Sequence, residues 1–70
     1  MITEIGIIAG EIWHVLDKRG EITLACLVED IDKPREMVLM SLGWLAREGH
    51  VKVLIEADTY TISLRETIAN

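Results

Sequence analysis

In the stretch PREMVLMSLGWLAREGHVKVLIE, Pro34 to Glu56, the spacing of apolar residues changes partway from helical to extended. Val38, Leu42 and Leu45 form the inner stripe of a helix that Asp32, followed by Pro34 in the first turn, starts and Gly49 ends. From Val51 to Glu56 the period becomes two, with Val53 and Ile55 on one side. After a break at Ala57-Asp58, Tyr60, Ile62 and Leu64 repeat that alternation, which makes a hairpin.

Toward the amino terminus, Ile5, Ile8, Ala9, Ile12, Trp13 and Leu16 recur at the spacing of one helical face. Thr3 supplies an N-cap for this first helix and Gly20 its stop. Glu21-Ile22-Thr23 reads as a short extended piece, and Thr23 caps a brief second helix that turns Leu24, Leu27 and Val28 inward and ends near Asp30. Cys26 falls in the same apolar pattern and reads as a small core residue. The order helix, short strand, helix, helix, hairpin is the connectivity of an α+β winged helix-turn-helix domain: three helices, a short first strand and a C-terminal β-hairpin wing. One domain is expected over residues 1–70, with 65–70 as a frayed tail.

Ile5-Gly6 and Ala9-Gly10-x2-Trp13 in the first helix, together with Leu42-Gly43-Trp44-Leu45-Ala46-Arg47-Glu48-Gly49 in the third, resemble a family of small stand-alone prokaryotic winged helix-turn-helix proteins of unknown function. The resemblance spans residues 3–64. It implies the fold and no activity, so function must be read from the residues.

A chain of 70 residues buries only about 60% of its unfolded surface, yet half of its residues are hydrophobic and the mean hydropathy is +0.29. That excess of apolar surface calls for a partner. Seven Lys and Arg face twelve Asp and Glu, giving a net charge of −5 and a pI near 4.8, which repels phosphate. Cys26 is the sole cysteine, so no disulfide framework or paired-cysteine zinc site is available, and a reducing, cytoplasmic setting is expected. The longest uncharged apolar run, Met37 to Ala46, is too short to cross a bilayer.

Turning Val38, Leu42 and Leu45 inward points Glu36, Met40, Gly43 and Arg47 outward at ~100° per residue, with Met37, Leu39 and Trp44 on the flanks. A DNA-reading helix presents Arg, Lys, Asn, Gln or Ser there, because base edges are hydrogen-bonding groups. Here only Arg47 is basic, the preceding turn carries Glu29, Asp30 and Asp32, and the wing tip carries Glu56 and Asp58. Arg35, Arg47 and Lys52 are the cations a DNA-binding regulator would use, and that reading stands as the alternative. The favoured reading is a protein-binding or homodimerising module, with Met37, Met40, Gly43, Trp44 and Arg47 as its contact residues.

Glu11-x-x-His14 has the helical spacing of a di-iron motif, but such sites need two such motifs and two further carboxylates. Its residues are read as solvated, with Ile7 and Lys18 beside them, and His50 as a charge partner of a helix C-terminus. No nucleophile motif or phosphate loop is present, so no enzyme, metal or cofactor is expected. Gly6 and Gly10 each cost the first helix about 1 kcal/mol against alanine. Close approach of another element, the Trp44 ring in the same chain or the first helix of a second subunit, is expected to offset that, with the intramolecular version preferred. Gly43 raises the same question for the third helix.

Overall fold

The computed structural model describes residues 2–65. Its elements are α1 (Ile2–Arg19), β1 (Ile22–Thr23), α2 (Leu24–Asp30), α3 (Arg35–Arg47), β2 (Val51–Glu56) and β3 (Thr59–Leu64). No helix among the described residues is long and apolar enough to cross a membrane.

Glycine ends two of the helices where the sequence places it. Gly20 takes φ +80° and its N–H donates to the Leu16 carbonyl at 2.8 Å. Gly49 takes φ +81°, its N–H donates to Ala46 O, and the His50 N–H donates to Leu45 O. That reciprocal pair is a Schellman closure, and it turns the chain directly into β2. Thr23 caps α2 by accepting from the Cys26 N–H at 3.3 Å.

The two other caps differ from expectation. α1 starts at Ile2, so Thr3 lies inside the helix. α3 starts at Arg35 with Pro34 as its N-cap, and Asp32 lies outside. The carbonyl of Pro34 accepts from the N–H groups of Met37 and Val38, and its side chain has no acceptor with which to cap the helix.

The sheet has the order β1-β3-β2 and is antiparallel throughout. Ile22 pairs with Ile62, and β2 runs along β3 from Val51 opposite Leu64 to Glu56 opposite Thr59. The Arg65 N–H donates to His50 O, so this first residue of the expected tail is tied to the sheet; residues 66–70 lie outside the described residues. Ala57 turns the hairpin with φ +52°.

The core gathers Ile8, Ala9, Ile12 and Leu16 of α1, Ile22, Leu27 and Ile31, Val38, Leu42 and Leu45 of α3, and Val51 and Ile62 of the sheet. Two residues expected inside are not there. Trp13 is 41% exposed because it sits at the margin of the α1 stripe, ~100° from Ile12. Cys26 is exposed, since the short α2 turns Leu27 to the core and Leu24 and Val28 to its edge. Ile55 follows the predicted alternation but lies beyond the helices that bury Val51, so the core face of the wing continues into solvent, with Val53 also exposed.

Candidate interaction surface

α3 divides into two unlike faces. Val38, Ser41, Leu42 and Leu45 are buried, with Ser41 fully enclosed. Met40 at 43% and Trp44 at 47% relative exposure lie on the other side with Glu36, Gly43 and Arg47, all exposed, and Leu39 at its edge. A tryptophan held nearly half in water keeps much of its ring uncovered by the described residues. Trp44 therefore stands at the surface among the described residues.

Met37 is half-buried and connects this face to α1. With Ile7, Ile8 and Pro34 it lines a shallow apolar hollow of about 390 Å³, rimmed by Glu4 and Lys33. Lys33 also reaches Glu11 at 3.1 Å, so the carboxylate of the Glu11-x-x-His14 pattern is engaged by a cation. His14 instead meets the Trp13 ring edge-on, with centroids 5.8 Å apart.

The expected intramolecular cover for the helix glycines is absent. A Cβ built on Gly6, Gly10 or Gly43 would meet nothing within 4 Å, so neither the Trp44 ring nor any other part of the described chain packs against them. The phase of α1 explains this, because both of its glycines lie on the side away from Ile8, Ile12 and Leu16.

The cations divide into paired and exposed groups. Arg19 pairs with Asp30 and Lys33 with Glu11. Arg35, Arg47 and Lys52 are exposed and make no ion pair among the described residues. Arg35 lines a second hollow with Thr23, Thr59, Tyr60 and the carboxylate-bearing Asp58, and neither Arg47 nor Lys52 contributes to it.

Sequence reasoning missed the wing as a surface. Leu54 at 50%, Ile55 at 63% and Tyr60 are exposed, with Leu54 on the opposite sheet face from Ile55. The available signal was the unbroken run Val53-Leu54-Ile55, which departs from the apolar-polar alternation of a half-buried strand.

Three helices with a three-stranded antiparallel sheet, ending in a hairpin that runs out past the core, define a winged helix-turn-helix domain, a fold typically devoted to binding and not to catalysis. Residues 1–65 match the winged helix-turn-helix domain family DUF2582, and the chain belongs to that family. The solution NMR structure of protein BT2368 from Bacteroides thetaiotaomicron is similar, at 27% sequence identity and a TM-score of 0.78 over 89% of this chain and 76% of that one. No curated protein matches the chain.

Proposed function

We propose that this domain is a non-enzymatic binding module whose outer α3 face, Met37, Met40, Gly43, Trp44 and Arg47, takes a protein partner. The exposure of Met40 and Trp44 together on one rigid helix carries the reading. Methionine adapts to irregular surfaces and tryptophan concentrates binding energy, while Gly43 between them lets a partner approach the helix backbone. Arg47 adds a hydrogen-bonding rim.

The DNA-binding alternative draws on the fold and on Arg35, Arg47 and Lys52, which make no ion pair among the described residues. Against it stand the net charge of −5 and an outward face that offers thioether and indole where base edges ask for hydrogen bonds. Fluorescence anisotropy on mixed-sequence and genomic duplexes at two salt concentrations separates the readings. A protein-binding module gives weak binding with a shallow salt slope. Submicromolar binding that falls steeply with salt and is lost on replacing Arg35, Arg47 and Lys52 would establish the alternative.

A further inference from the structure

β1 pairs only with Thr61 and Ile62, and the chain then turns at Leu24 into α2, while β3 reaches past it to Thr59. Beside that uncovered end of β3 lies an open hollow of about 400 Å³. Small-molecule sites run from roughly 300 to 1,000 Å³, so it has room for a ligand at the small end of that range. Leu24, Ala25 and Tyr60 give it apolar walls. Arg35, from the first turn of α3, and Asp58, from the wing turn, both line it, yet they form no ion pair with each other or with any other described residue. A guanidinium and a carboxylate are thus presented to one space without contact between them. Thr23 also lines the hollow; its hydroxyl accepts from the Cys26 N–H and keeps its own O–H to donate.

We propose that this hollow binds a free α-amino acid with an apolar side chain, its carboxylate on Arg35, its ammonium on Asp58 and its side chain against Tyr60 and Leu24. Charge selects this class. A simple anion on Arg35 would meet the Asp58 carboxylate in the same space and the net charge of −5 around it. A simple cation on Asp58 would meet Arg35. A zwitterion is neutral overall and sets each of its charges against the opposite one, with the guanidinium offering the planar fork that suits a carboxylate. The walls select the side chain, because Tyr60 is 46% exposed and an apolar group laid against it removes both surfaces from water. None of Met37, Met40 and Trp44 lines this hollow, so the ligand site is separate from the α3 contact face. A ligand held there ties the wing turn to the first turn of α3.

Titration of the isotope-labelled chain with L-phenylalanine into the millimolar range, read by amide chemical shifts, should give saturable changes concentrated at Leu24, Ala25, Asp58, Thr59 and Tyr60. Phenylpropionate lacks the ammonium and phenethylamine the carboxylate, and each should bind at least about tenfold more weakly, the loss expected for one charged hydrogen-bonding group. Arg35→Gln and Asp58→Asn replace exposed side chains and should keep the fold, checked by a melting curve, while each weakens phenylalanine binding by at least about tenfold. Met40→Glu, on the outer face of α3, should leave that affinity unchanged. The absence of saturable shifts around the hollow overturns the proposal. So does equal binding of phenylpropionate or phenethylamine, or an affinity that either folded charge variant leaves as it is in wild type.

Discussion

Ser41 shows how much one polar atom in α3 can matter. Its side chain is fully buried and its Oγ has no hydrogen-bond partner among the described residues, so the hydroxyl is desolvated without compensation there. Ser41→Ala removes that penalty and adds a better helix former. The variant should gain about 1 kcal/mol, read as a melting temperature roughly 4–8 °C higher. An unchanged or lower melting temperature would mean that the hydroxyl is satisfied. Three residues with local roles were legible from sequence, since Thr23, Gly20 and Gly49 act on backbone within a turn of themselves, whereas Thr3 and Asp32 do not cap the helices assigned to them. Trp13 and Cys26 were not, because a side chain at the margin of an apolar stripe is buried or exposed according to where the neighbouring element stops. Ser41 sits in phase with Val38 and Leu45, so spacing pointed inward while residue type pointed out.

At the scale of elements, α1 carries an unmet cost. Gly6 and Gly10 lie inside an 18-residue helix with open space where a Cβ would stand. Gly6→Ala and Gly10→Ala should each stabilise the isolated chain by roughly 0.5–1 kcal/mol. Chemical denaturation curves at low protein concentration test this, and a loss of stability would show that something does pack against that face. The order and type of the elements were readable because α1, α3 and the hairpin are long and strongly periodic. The exposure of the wing was not readable for a different reason. Alternation fixes which residues share a face, but not how far the helices reach along it, and they cover only Val51 and Ile62 fully.

For the whole molecule, size and composition set the problem that the surface has to solve. A body of 70 residues leaves Trp44, Met40, Leu54, Ile55 and Tyr60 in water because its core is already filled by α1, α3 and the sheet base. An apolar excess was legible in the composition, and the part of it on α3 could be assigned from the helical phase. Its division between α3 and β2 was not, since that depends on the sheet order placing β2 outermost. The partner's identity is written in neither, because a flat apolar face specifies chemistry and not sequence. The claim that the outer α3 face binds and does not support the fold is tested most directly by Met40→Glu against Leu42→Ala, with a melting curve and capture of partner protein from native lysate for each. Leu42 is buried, and its truncation should cost roughly 2–5 kcal/mol. Met40→Glu should shift stability by no more than about 0.5 kcal/mol and abolish capture of the proteins that wild type retains. Unfolding of Met40→Glu comparable to that of Leu42→Ala, or capture unchanged from wild type, would contradict it.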